Sequence, residues 1–250
     1  MGSPRSARRR PHVLSISSSN LTTDRLTGVA TLDHSAFTPL AILYTEYIAF
    51  VARPDSPYLH ASALLSRFGA SAGSLTIALS TSLGNPNHIA VARAIRHAGG
   101  DVRAPKIRVF DSALDAAADV VAGNADVGAI TAASPVKELA AGSLIALAVS
   151  APRRLPGLYE HTPTWRELGV DCVIGAWRGA SGARGLTPPQ VEFWEDVLSA
   201  AVATPAWNAE LDRHYWTAMC LDGVALRAHL QRERAEMERV LAELGLLRPG

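Results

Sequence analysis

Cysteine is nearly absent from these 250 residues: Cys172 and Cys220 stand alone and far apart. That excludes a CxxC redox pair and a cysteine-built zinc site. Two buried free thiols are the expectation, with pairing in an oxidising compartment as the alternative. Net charge is equally scarce, since 24 Lys and Arg against 23 Asp and Glu leave +1. The chain therefore has no general attraction for nucleic acid or an acidic membrane surface. No apolar run reaches the roughly 18 to 20 residues that a membrane helix needs. GxGxxG and GKS/T phosphate loops are missing, and the eight histidines show no HExxH or similar ligand spacing. Nothing in the sequence calls for a cofactor or a metal, and no pair of carboxylates stands out as an acid and base.

An export signal is missing as well. Arg5, Arg8, Arg9 and Arg10 stand where such a signal carries its charge, but LSISSSNLTTD follows in place of an apolar core. The arginines read as a disordered leader, as residues upstream of the true frame, or as a basic arm.

What is present is apolar content of 48%, enough to give one large or two small domains their cores. The pivotal stretch is Ser80 to Gly100, STSLGNPNHIAVARAIRHAGG. Leu75 to Leu79 reads as a buried strand, and Asn85 and Pro86 suit the N-cap and first position of a helix that Gly99 and Gly100 end. Such a start aims unpaired N–H groups and positive dipole at whatever lies above the loop. Ser82, Asn87 and His88 are candidate donors there. The same pattern also fits an ordinary capped connection that binds nothing.

Around this unit the chain alternates. Strands are expected at His12 to Ser17, Leu40 to Ala52, Ile107 to Phe110, Val127 to Ile130, Leu144 to Val149 and Asp171 to Arg178. Helices are expected from Leu59 to Phe68, Ala113 to Ala122, Pro135 to Ala141, Pro189 to Ala203, Pro205 to Tyr215 and Val224 to Leu244. This order means βαβ units and a mostly parallel sheet. Ligands of open sheets lie beyond the carboxyl ends of strands, which puts Ser82, Asp111, Ser112 and Ser134 on one rim. Trp177 and Arg178, at the end of the second long strand, offer an aromatic wall and a guanidinium for a carboxylate. They fit equally well as a half-buried Trp with an Arg lying along it. Gly179 to Ala183 nearly matches a GxSxG nucleophile elbow at Ser181, but the last position is Ala and no helix follows directly.

Several separated segments carry a resemblance. SLGNPNHIA, TEYIAFVARPDSPY, GNADVGAITAASPV, LIALAVSAPRRLPG with TPTWRELGVD, and GAWRGASGARGLTP together resemble the solute-binding proteins of tripartite tricarboxylate transporters, the Bug family. The resemblance runs from about Val13 to Leu247. It implies a type II periplasmic-binding-protein fold, with two α/β lobes joined by crossing strands. Residues 1–52 and 171–250 would form the first lobe and 53–170 the second. It also implies a non-enzymatic, periplasmic, monomeric protein that closes on a small carboxylate by hinge motion near Phe50 and Val173 and hands it to the transporter's membrane components. By position, the implied ligand contacts are Ser18, Asn20, Ser82, Asn87, His88, Ser134, Trp177 and Arg178. Members of that family begin with an export signal and a β-α-β segment, and neither is found here. An N-terminally truncated, incomplete first lobe with an exposed sheet edge is therefore expected, and a cytoplasmic location if the start is genuine. The rival readings are a cytoplasmic ligand sensor of the same fold and an α/β hydrolase using Ser181.

Overall fold

The architecture is set by one long strand, β2 (Thr38–Ala52), which reads LAILYTEYIAFVA over its last thirteen residues and lies at the centre of two sheets. The computed structural model describes residues 12–248, so the arginine leader lies outside the described residues. In its first half β2 runs between β7 (Gly175–Gly182) and β8 (Thr217–Asp222), and β1 (Leu14–Ser18) pairs with the far edge of β7. In its second half β2 runs between β5 (Val127–Thr131) and β6 (Ile145–Val149), and β5 continues to β3 (Thr76–Ser80) and β4 (Lys106–Phe110). Residues that are β-branched or aromatic along most of its length let β2 pair on both edges and bury both faces.

The sheet departs from the parallel expectation. Among the described strands only β3 with β4 and β3 with β5 are parallel, while β2 is antiparallel to all four of its partners. A strand that enters from the neighbouring sheet meets the carboxyl ends of β5 and β6 first and so runs against them. β8 was not anticipated at all. Its residues, TAMCLD, alternate between half-buried and exposed, and only pairing with β2 makes them a strand.

Helices cover both faces of the β3–β6 sheet. On one side lie α2 (Ala61–Ser71) and α3 (Pro86–His97), and α3 is buried over its first ten residues. Its Ile89, Val91 and Ile95 pack with Phe50, Phe68, Ile77 and Leu79. On the other side α4 (Ala113–Val121) and the short α5 (Val136–Ala140) cover a second core that includes Val51, Ile130 and the buried Tyr159. The remaining helices are α1 (Asn20–Thr27), α6 (Pro188–Val202), α7 (Pro205–Arg213) and α8 (Gly223–Glu243). α8 spans the molecule: Leu226 packs with Trp177 and Ile42 in one cluster, and Met237, Val240 and Leu241 join the α3 core.

The two sheets are pinned at Ser150, which is fully buried. Its Oγ accepts from the Ile48 N–H at 2.8 Å and donates to the Ile174 carbonyl at 2.5 Å. Its backbone binds the same two residues, donating to the Ile48 carbonyl and accepting from the Ile174 N–H. Both chain crossings between the sheets therefore close on one serine.

Both cysteines are free, as expected, but only Cys172 is buried; Cys220 is exposed. Burial pushes the Cys172 thiol up to about 12. Ser181 lies within β7, buried, with its Oγ donating to Ser17 Oγ at 3.2 Å. A buried serine paired within a strand, with a serine partner, is not the exposed strand-to-helix turn that a nucleophile elbow needs.

Candidate functional site

β3, β4, β5 and β6 all end on the same side of their sheet, and the β1-β7-β2-β8 sheet stands over that rim. The space between is where the sequence-derived residues were expected to meet.

The β3–α3 loop forms one wall, and it is tied to itself. Asn85 caps α3 by accepting from the His88 N–H at 3.1 Å, while its amide donates to the Ser80 carbonyl at 2.6 Å and to Thr81 Oγ1 at 2.8 Å. This holds Thr81 at φ 69°, a left-handed conformation unusual for a β-branched residue. Asn87 is buried and donates to Ser80 Oγ at 3.0 Å. His88 is buried and its Nδ1 accepts from the Gly84 N–H at 3.1 Å. Burial pushes the His88 imidazole down to about 4, so it is neutral at pH 7. Asn87 and His88 thus brace the loop from behind. Ser82 alone of the three predicted donors reaches across, to Asp24 Oδ1 on α1 at 3.4 Å. Desolvation raises the Asp24 carboxyl above its ordinary range, partly offset by that serine.

The floor is a polar line running from one sheet to the other. Ser18 on β1 is in register with Arg178 on β7. Arg178 lies 3.5 Å from Glu46 on β2, and its guanidinium also donates to the carbonyls of Ala176 and Trp177. Thr131, at the end of β5, hydrogen-bonds the Glu46 side chain and pairs with Ser134 Oγ at 2.9 Å. Burial raises Glu46 above the usual carboxylate range, with Arg178, Thr131 and His214 pulling the other way. Asn20 begins α1 beside the Ser18 end of this line.

Trp177 does not flank Arg178. Successive residues of a strand face opposite sides, and Trp177 points to α8, where its Nε1 is 2.9 Å from both carboxylate oxygens of Glu233. The aromatic wall beside Arg178 is instead Tyr44, its register partner on β2. Tyr44 stacks on Trp216 with ring centroids 4.1 Å apart, and His214 stacks on the same indole at 4.6 Å. A cavity of about 400 Å³ adjoins Trp216 and is lined by Tyr47, Arg153 and Asn208 among others. Glu46, Asp24, Thr131, Tyr44 and Trp216 were all missed by the sequence reading. Glu46 carried the one available signal, a lone charge inside an apolar 13-residue run. No group of three or more metal-ligating side chains occurs among the described residues.

Two α/β sheets sharing a long crossing strand, with polar groups gathered where strand ends meet the opposite sheet, define a periplasmic-binding-protein fold. Among solved structures the chain is similar to a TctC solute-binding protein from Polaromonas, at 23% identity and TM-score 0.75 over 94% of this chain and 79% of that one. It is similar to MatC from Rhodopseudomonas palustris, solved with bound malate, at 23% identity and TM-score 0.72 over 92% and 79%. It is also similar to Rpa4515 from R. palustris, solved with adipate, at 19% identity and TM-score 0.80 over 93% and 77%. No family model and no curated protein matches the sequence.

Proposed function

We propose that this protein is a non-catalytic solute-binding protein that holds a small carboxylate between two lobes, 1–52 with 171–250 and 53–170, and delivers it outside the cytoplasm to the membrane components of a tripartite tricarboxylate-type transporter. It acts as a monomer, without nucleic acid or cofactor. The observation that carries this reading is Arg178. Its guanidinium lies at the strand-end rim, side chain about one-third exposed (32%), on the polar line that joins the sheets. Serine and threonine hydroxyls at both ends of that line suit the remaining carboxylate oxygens. The malate and adipate in MatC and Rpa4515 are acids of the size and charge this reading needs. Among the described residues, no helix is long and apolar enough to cross a membrane.

The test is thermal unfolding of the 250-residue chain with a panel of small mono-, di- and tricarboxylates. An acid at ~100 times its Kd stabilises by about 2.7 kcal/mol, roughly 5 to 10 °C for a chain of this size. Arg178→Ala is expected to weaken that acid more than tenfold. If no acid raises Tm, or if Arg178→Ala leaves Kd unchanged, the assignment of a carboxylate to this cleft is wrong.

A further inference from the structure

On the other face of the crossing strands from Arg178 lies a partly open cavity that the cleft does not use. It has a volume of about 310 Å³ and sits between α3, the β7 lead-in and α8. That is near the lower end of the roughly 300–1,000 Å³ typical of small-molecule pockets. One side is apolar: Ile89 from α3, Ile174 from the lead-in, Met219 from β8 and Met237 from α8, with the Trp177 ring closing the end. The other side is polar, and its charges are unevenly satisfied. Arg93, itself buried, is spent: it pairs with Glu236 at 2.5 Å and donates to the Val173 carbonyl at 3.2 Å. Glu233 is occupied by the Trp177 indole, as described above.

Two donors remain. His229 Nε2 is buried without a hydrogen-bond partner; the nearest carboxylate oxygen, on Glu233, is 3.8 Å away, too far for a bond. Arg232 is exposed at the same wall and forms no ion pair with any described carboxylate. A buried polar atom without a partner is unfavourable, and His229 borders the cavity, so a group bound there would supply the missing partner.

We propose that this cavity is a second binding site, for a short monocarboxylic acid with an apolar body, whose carboxyl group meets His229 and Arg232 and whose hydrocarbon part lies on Ile89, Met219 and Met237. Thr45 and Tyr47 also border the cavity, but neither brings a cation, so away from His229 and Arg232 the lining suits an apolar body better than a second carboxylate. The acid is held away from the Arg178 cleft by the β7 backbone, because Trp177 and Arg178 face opposite sides. Burial holds the Glu233 carboxyl up to about 7, so near neutral pH it is often protonated and does not repel the incoming acid.

Benzoate and hexanoate, titrated calorimetrically into the 250-residue chain at pH 6.5, test this directly. Binding is expected in the wild type, with a Kd at least tenfold weaker in Arg232→Ala and Met219→Trp, and unchanged within about twofold in Arg178→Ala. Arg232 is exposed, so its variant reads out even if the larger Met219 replacement fails to fold. Absence of binding by either acid overturns the proposal. So does binding that Arg232→Ala leaves intact, or binding that Arg178→Ala abolishes, since the last places the acid in the cleft. The cleft assignment fails separately, through the dicarboxylates and Arg178→Ala.

Discussion

Arg178 is not an unopposed cation. Glu46 lies 3.5 Å from it with a side chain only 13% exposed, so a ligand carboxylate arriving at Arg178 competes with a carboxylate already present. Burial raises Glu46 above its ordinary value, which means that the competition weakens as pH falls toward that raised value. Glu46→Gln removes the competing charge while keeping an acceptor for Thr131. The expected result is a carboxylate Kd several-fold tighter at pH 7.5, with the difference shrinking as pH falls; equal or weaker binding in the variant would mean that Glu46 orients Arg178 instead of opposing the ligand. The sequence made Arg178 visible as a cation at the end of the strand expected over Asp171 to Arg178, although β7 runs on to Gly182 and places it mid-strand. It did not reveal Glu46's role, because the partner of a charge across a sheet depends on register. The same limit applies to Asn87 and His88. Their place in a capped loop was readable from Asn85 and Pro86, whereas their inward direction follows from the packing of α3. The alternation that separates Trp177 from Arg178 was present in the sequence, and follows from the two-residue period of a strand alone.

Elements whose own residues encode them were legible, and those that borrow their structure were not. β2, α3 and α8 carry strong periodicity and lie within a few residues of their expected bounds. α1 reads NLTTDRLT, with little amphipathic pattern, and is a helix because Thr22, Thr23 and Leu26 are buried against its neighbours. β8 exists through β2 in the same way. The connection between the sheets was also hidden, since Ser150 looked like the first residue after a strand. Its side chain serves two buried backbone groups belonging to two different crossing segments. Ser150→Ala fills nearly the same space but leaves the Ile48 N–H short of an acceptor and the Ile174 carbonyl short of a donor. A loss of about 1–3 kcal/mol is expected, read as a lower midpoint in urea unfolding. Amide exchange at Ile48 should accelerate beyond what the global loss explains, because that N–H loses the Ser150 hydroxyl as acceptor. An exchange rate that follows global stability alone would show that the crossing is held by its sheet pairings and not by the serine.

Across the whole molecule, stability as a function of pH is set by buried groups that work in opposite directions. His34 and His88 are both pushed down to about 4 by burial. Each is neutral in the folded chain and takes up a proton more readily when unfolded, so stability is lost as pH falls below about 6.5 toward 4. Glu233 has the reverse sign. Its folded value is raised from 4.5 to about 7, so between these values the folded chain binds more proton than the unfolded one, and stability declines as pH rises from about 4.5 to about 7. A displacement of that size corresponds to something on the order of 3 kcal/mol for a single buried carboxyl. Arg93 and Glu236 pair with each other nearby, and His229, 3.8 Å from Glu233, is held toward its neutral form by burial and so brings no charge to it. The two windows overlap, so Tm should rise up to about pH 6.5, less steeply than the two histidines alone would make it, and then level off. Glu233→Gln, which keeps an acceptor for the Trp177 indole, should remove the opposing decline between about pH 4.5 and pH 7 and so steepen the acid-side loss from the two histidines. The two contributions then report on different parts of the fold: the histidine gain on the α3 loop and the His34–Trp177 stack, the Glu233 decline on the cavity beneath α8. A variant whose pH profile matches the wild type would mean that Glu233 is paired or solvated in the folded chain, and the unsatisfied wall of the cavity would have to be sought in His229 alone.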